Sequence, residues 1–448
     1  MSSINKKRIV VFGPVSPNNI GDAIQQIVAA HLVKNFLPTF DVTLMAPFIS
    51  KRFFNDVDLR ITCVSPSNIR LFATYNIIKD KIFHNRCQSN CVTEENLPGV
   101  DLSSSLYNMY TRILPYIFPI SEIDKCVALS TLEGYLYSTG FIAGHTISTP
   151  SVYHYVFSYE ILRKMVTGFV TTFPLSISIN AFKMLSEWNR RHVIKKLKRI
   201  FFDSHVFVRG PVTLSFMKEV VGLENVEMAL DSGFGIKELI PRNFHIGRRD
   251  AKYVVIAPRR HFHYYYRKIN QYQHYLNLIS NIIVELTEDE GYHVYLLAPM
   301  SFLDAVNDIL LVLCRKSKIP SAFLNKKISI VRPTNLIDIC KILSSAEFVV
   351  TSYMHVGIIS MSFGIPTLFL QPTNETKLLD IFYFLKIPPL MIDIFNMHQV
   401  KEIEIKEKLS FICSKAKTYY RGLIKQAVDK KYSTLYSPIK RLVKNLNL

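Results

Sequence analysis

Acidic residues are scarce in this chain. Only 35 Asp and Glu stand against 54 Lys and Arg, giving a formal charge of +19 and a pI of about 9.5. That imbalance favours anionic partners: a membrane surface, nucleic acid or phosphorylated small molecules. Zinc-finger spacing, a basic zipper and an RNA-binding signature are all missing, which argues against nucleic acid. Glycine is also sparse, at 16 of 448 residues, while aromatics reach 12%, so the chain is a folded protein and not a disordered one. The seven cysteines are dispersed and odd in number, which suits a reducing, cytoplasmic compartment better than a disulfide framework. Cys87 and Cys91 lie close together, but no second pair has ligand spacing, so no metal site is expected. The apolar run after the basic start stops at Gly13-Pro14, too short for a signal peptide. Neither GxGxxG nor a Walker loop occurs.

One tract lacks charge altogether. TSYMHVGIISMSFGIPTLFL, residues 351–370, has no Asp, Glu, Lys or Arg and is long enough to span a bilayer. Gly357, Gly364 and Pro366 break it into strand, helix and strand, which makes a buried core the better reading.

What is present is an alternation of short apolar runs with helical periodicity. RIVVFG (8–13), a helix from about Asp22 to Phe36, and TFDVTLMAP (39–47) form a βαβ opening. Residues 50–135 read as an irregular insertion. GYLYSTGFIAGHT (134–146), VTTFPLSISI (170–179) and HVFVRG (205–210) follow as strands. A helix over 212–222 stops at Gly222, and NVEMALDSGFG (225–235) adds a strand and a turn. The polar stretch 240–250 is the candidate linker. Beyond it come strands at 251–260, 292–299, 327–333, 347–352 and 365–370, alternating with helices at 275–291, 304–316, 336–346 and 354–364. Terminal helices are expected within 401–448. The prediction is an α/β protein of two Rossmann-like domains, 1–243 and 244–448, with parallel sheets, helices on both faces and a central cleft between them. NRRHVIKKLKRIFF (189–202) reads as a basic helix with Val193, Ile194, Leu197 and Ile200 inward. Its other face is solvated or meets anionic lipid headgroups.

Four strand-to-helix turns have side chains suited to chemistry. In GPVSPNNIGDAIQ (13–25), Asn19, Gly21 and Asp22 either cap a helix or form a substrate loop, with Asp22 as a base for a sugar hydroxyl. Arg209 ends a hydrophobic strand just before Pro211 opens a helix, a setting for a carboxylate, a phosphate or a structural ion pair. Arg259 and Arg260 end another strand, and at most one of them faces the cleft. His355 lies one step past the turn Ser352–Tyr353, where it can donate a proton or bind an anion.

NIGDAIQ (19–25), VRGPVTLSFMKEVVG (208–222) with DSGFG (231–235), and SSAEFVVTSYMHVGIISMSFGIPTLFLQPTNETK (344–377) occur in an order that resembles the polysaccharide pyruvyl transferase family. The resemblance implies a GT-B-like fold and transfer of the enolpyruvyl group of phosphoenolpyruvate to a glycan or lipid-linked sugar. A pyruvate ketal forms and phosphate leaves, with no cofactor beyond that co-substrate. It implies a donor side in the second domain and an acceptor side in the first. By the same resemblance Arg209 and His355 hold phosphoenolpyruvate, Lys377 matches a lysine after the last strand, and Asn19, Gly21 and Asp22 match the amino-terminal loop. Ser352 and Tyr353 join the donor set. The family commonly has Arg-x-His where this chain has Tyr353-Met354-His355; a tyrosine hydroxyl supplies neither a cation nor a fork. Arg259 or Arg260 would then make up the charge. The competing readings are a nucleotide-sugar glycosyltransferase and a silent sugar-binding component of an assembly complex. The expected location is cytoplasmic, peripheral to the inner face of the membrane.

Overall fold

The computed structural model describes residues 8–12, 20–45, 62–64, 126–130, 170–177, 179, 182, 187–240, 252–258, 269–298, 303–316, 326–371, 376–394, 402–414 and 416–445. The predicted strand 134–146 and nearly all of the candidate linker lie outside them.

In the first half, β1 (Arg8–Phe12), β2 (Asp41–Met45), β3 (Thr62–Val64), β4 (Cys126–Ser130) and β5 (Val170–Thr172) form a parallel sheet in the order β3-β2-β1-β4-β5. Single bridges, Thr171 to His205 and Leu175 to Val208, carry it on to the parallel pair β6 (Val206–Val208) and β7 (Val226–Met228). Two of these strands fall inside the expected insertion. β4 pairs with β1 at the middle of the sheet, so residues 50–135 contribute to the core layer and are not all insertion. CVALS gives only a weak strand signal, because Ala and Ser are poor strand formers and no turn residues bound the run.

Between β1 and β2 runs α1 (Ile20–Phe36), which buries Ile24, Ile27, Val28 and Leu32. It packs against a 3-10 segment, Ser232–Leu239, whose other side meets a helix of the second half, α7 below. α2 (Glu187–Phe201) is the basic helix; it buries Leu197 and Phe201 while Lys195, Lys198 and Arg199 stay exposed. α3 (Pro211–Ser215) starts on its proline and loosens into a wider turn, Phe216–Val220, before Gly222 ends it at a φ of 77°.

The second half follows the predicted alternation. β8 (Tyr253–Ala257), α4 (Ile269–Val284), β9 (His293–Leu297), α5 (Leu303–Lys316), β10 (Ile328–Val331), α6 (Leu336–Ser344), β11 (Val349–Thr351), α7 (Met354–Ser362) and β12 (Thr367–Gln371) come in turn. After α8 (Lys377–Leu385) a further strand, β13 (Met391–Asp393), joins the edge, so 365–370 is not the last strand. The parallel order is β10-β9-β8-β11-β12-β13, the doubly wound arrangement whose strand order reverses between β8 and β11. The uncharged tract is therefore the end of β11, α7 and β12, buried within this layer except at Tyr353–Val356 and Phe363, which are half-buried. No helix among the described residues is long and apolar enough to cross a membrane.

The terminal helices are α9 (Glu402–Cys413), α10 (Ala416–Tyr432) and α11 (Ser437–Asn445). α10 packs on α7 and α8, whereas α11 returns to the first half and packs on β5.

Candidate functional site

At the reversal between β8 and β11, ligands of doubly wound sheets bind beyond the strand ends. Thr351 lies opposite Ala257 there, and the Thr351 hydroxyl and the Ser352 amide both donate to the Ala257 carbonyl, each at 3.2 Å. The backbone then turns. The Tyr353 amide donates to Thr351 Oγ1 at 2.9 Å, and the Tyr353 carbonyl accepts from the Gly357 amide at 3.1 Å to start α7. Ser352 is buried, with its hydroxyl 3.0 Å from that of the buried Tyr275 on α4. His355 is the second residue of α7 and half-buried.

Arg209 arrives from the first half, at the end of β6. It heads the largest fully buried side chains among the described residues, an unusual place for a cation unless it is paired. Its Nε meets Asp231 Oδ2 at 2.5 Å, with both side chains 1% exposed, and also donates to the Pro174 carbonyl at 3.3 Å. Nη1 donates to Ser176 Oγ at 3.2 Å and to Met354 Sδ at 3.8 Å. Through that last contact the β6 strand end touches the Tyr353–His355 turn. Asp231 is held in turn by Gln25 on α1, whose Nε2 lies 2.9 Å from both carboxylate oxygens, and by the Gly233 amide at 2.8 Å.

The helix end beside Arg209 is filled from across the halves. Asp380 on α8 accepts from the Val212 amide at 2.7 Å, from the Thr213 amide at 3.1 Å and from the Thr213 hydroxyl, so it caps α3 in place of a local residue. Burial pushes the Asp380 carboxyl above its ordinary range; the Thr213 hydroxyl and the two amides pull the other way without cancelling it. Gly210 is required here, because a Cβ would sit 2.3 Å from the Asp380 carbonyl oxygen. Thr376 adds a second link: its hydroxyl donates to the Ile177 carbonyl at 3.0 Å and accepts from the Ile179 amide at 3.1 Å.

The other candidates are distributed as follows. Lys377 opens α8 and is 2% exposed. Gly21 and Asp22 fall in the first turn of α1. Asn19, Arg259 and Arg260 lie outside the described residues. Gln25, Asp231 and Asp380 were not among the predicted site residues. Gln25 and Asp231 lay inside quoted motifs, but a pairing across 206 residues leaves no local trace. Among the described residues no group of three or more His, Cys, Asp or Glu is placed to hold a metal ion.

A family model for polysaccharide pyruvyl transferases matches residues 19–374, most of the chain, including Arg209, Asp231 and the Tyr353–His355 turn. The chain belongs to this family. Membership makes it a transferase by lineage. Solved structures of similar fold include MnaA of S. aureus with UDP, at 11% identity and a TM-score of 0.56 over 99% of this chain and 97% of that one. TcCGT1 in complex with UDP matches at 10% and 0.54, over 98% and 100% of the respective chains. The UDP-GlcNAc 2-epimerase of Methanocaldococcus jannaschii, with UDP-GlcNAc and UDP, matches at 11% and 0.51, over 91% and 93%. At such identities the likeness establishes the fold, a GT-B-like pair of Rossmann-like domains. No curated protein sequence matches the chain.

Proposed function

We propose that this family member transfers the enolpyruvyl group of phosphoenolpyruvate to a glycan or lipid-linked sugar, forming a pyruvate ketal and releasing phosphate. The observation carrying this reading is the meeting of Arg209 with the Tyr353–His355 turn, a buried cation from one half against a histidine-bearing helix start from the other. Phosphoenolpyruvate carries a phosphate and a carboxylate and so calls for more than one cation. Arg209, His355, one of Arg259 and Arg260, and Lys377 are the proposed set, with Ser352 and Tyr353 completing the donor turn. A proton is delivered to the methylene carbon, for which His355 is the proposed donor. A sugar hydroxyl adds to the resulting oxocarbenium-like carbon while Asp22 takes its proton, and Asn19 and Gly21 shape the loop around the acceptor. A second hydroxyl then displaces phosphate and closes the ketal.

Incubation with phosphoenolpyruvate and a panel of glycans, following phosphate release, tests the reading. Release should be lost in Arg209→Ala and His355→Ala; a folded wild type that releases none from any acceptor would overturn it. Tyr353, where the family commonly has arginine, favours a second reading, transfer from a nucleotide sugar. Thermal stabilisation by nucleotide sugars but not by phosphoenolpyruvate would select that one.

Peripheral attachment to an anionic membrane is proposed through α2. Arg191, Lys195 and Lys198 share one exposed stripe with Phe202, which is 75% exposed just past the helix end. Sedimentation with anionic but not neutral vesicles, lost in Lys195→Glu/Lys198→Glu, is the expected result. Equal recovery with both vesicle types would dismiss it.

A further inference from the structure

We propose that Asp231 and Gln25 are positioning residues for donor binding, a proposal that rests on the pyruvyl-transfer reading above. The argument starts from how the Arg209 guanidinium spends its donors. Its Nε side is tied to the Asp231 carboxylate at 2.5 Å. Its Nη1 side meets two weak acceptors, a hydroxyl at 3.2 Å and a thioether at 3.8 Å. A carboxylate or phosphate oxygen arriving near Met354 would exchange those contacts for a charge-assisted bond, the stronger kind. The strong bond already present lies on the far edge of the fork. It fixes the rotation of the planar group and directs Nη1 toward the turn that carries His355.

Asp231 can do this only if its own carboxylate is fixed, and three hydrogen bonds fix it. Gln25 supplies two and the Gly233 amide one. The Gly233 bond comes from the same turn as Asp231, whereas the Gln25 bonds come from α1, three residues after Asp22. The proposed acceptor loop and the proposed donor cation are therefore joined by one chain of contacts, buried as far as Arg209: α1, Gln25, Asp231, Arg209, Met354. Gln25 and Asp231 are both almost wholly buried, so water does not substitute for either. Neither residue is proposed to touch the reacting atoms. Their effect is on where Arg209 points.

Gln25→Ala is the cleaner perturbation, because it removes no charge and leaves the ion pair in place. Asp231→Asn is the stronger one, and its folding is checked first by circular dichroism. Calorimetric titration of the full chain with inorganic phosphate and with phosphoenolpyruvate gives a binding readout that does not need turnover. We expect both ligands to bind about tenfold more weakly to Gln25→Ala, and for phosphoenolpyruvate turnover the same rise in KM with kcat within about twofold. Asp231→Asn should weaken binding at least as much, approaching Arg209→Ala. A purely structural role predicts a lower melting temperature with unchanged Kd and KM, and that result in Gln25→Ala would overturn the proposal. Binding of phosphoenolpyruvate by the wild type without phosphate release from any acceptor would overturn the pyruvyl-transfer reading while leaving Arg209 positioning measurable by Kd. No binding of either ligand by the wild type would overturn both.

Discussion

Removing the Asp380 carboxylate is the sharpest test of how the two halves are held together at the site. Asp380→Ala strips three donors of their acceptor: the buried Thr213 amide and hydroxyl and the part-buried Val212 amide. A buried donor left unsatisfied costs about 1 to 3 kcal/mol, and the three are not additive because they share one acceptor. Against that loss stands the cost of burying the carboxylate. Burial raises its folded pKa above the ordinary 3.8, so the stability that follows from the shift is present below the unfolded value and lost as pH rises through the folded one. At neutral pH the charge is therefore a liability that the alanine variant removes. The balance is a net loss of about 2 to 3 kcal/mol, or roughly 30- to 160-fold in the opening equilibrium of α3. Hydrogen exchange of the Leu214 amide reads this directly, since that amide bonds to the Gly210 carbonyl at 3.0 Å and not to Asp380. Asp380→Asn keeps one acceptor oxygen and relieves the charge, so it should lose less than half as much protection. Unchanged Leu214 protection in Asp380→Ala, with the fold intact, would show that α3 does not depend on its borrowed cap.

Three further outcomes are expected. Gly357→Ala places a Cβ 2.1 Å from the Phe369 ring, so it should destabilise by about 1 to 3 kcal/mol in urea unfolding and recover in part with Phe369→Leu; a neutral single variant contradicts the packing. Burial, with Arg441 nearby, pushes the His205 pKa below 6.5 against the pull of Glu227, so its contribution is present above 6.5 and lost as pH falls from there through the lower folded value. The melting temperature should fall between pH 7.5 and 5.5, and the fall should shrink in His205→Asn; an equal fall in that variant removes His205 as the cause. Tyr275→Phe deletes the 3.0 Å bond to Ser352 and should cost about 1 to 2 kcal/mol, raising the KM for donor, which steady-state kinetics would show. An unaltered KM would detach Tyr275 from the site.

Much of the architecture was legible because it rests on local signals. β-branched runs, glycine stops and a histidine just past a strand end are visible one at a time, and the second half was read nearly element by element from them. What escaped was short or assembled at a distance. β4 is central yet only five residues long with Ala and Ser among them, and β13 is a three-residue edge strand ending in Asp393. The site residues divide in the same way. Arg209 and His355 advertise themselves by type and place, whereas Asp380 reads as an ordinary acidic residue in the first turn of α8. Its role exists only because α8 docks against α3. Arg209 was read as open to either an anion or an ion pair, and the ion-pair partner, Asp231, could not be chosen from sequence among 35 carboxylates.

The return of α11 to the first half bears on how the chain is made. α11 buries Pro438, Ile439 and Leu442 and packs against β5, while its Arg441 reaches Glu227 beside His205; just before it, the Thr434 hydroxyl accepts from the Leu230 amide at 3.0 Å. The first half is synthesised well before the α11 residues that pack on it. As the chain leaves the ribosome, β5 lacks its α11 contact for more than 260 residues, through synthesis of the whole second sheet. These contacts of the first half form only after the second sheet has been made, so its completion is coupled to the second half in time as well as in space.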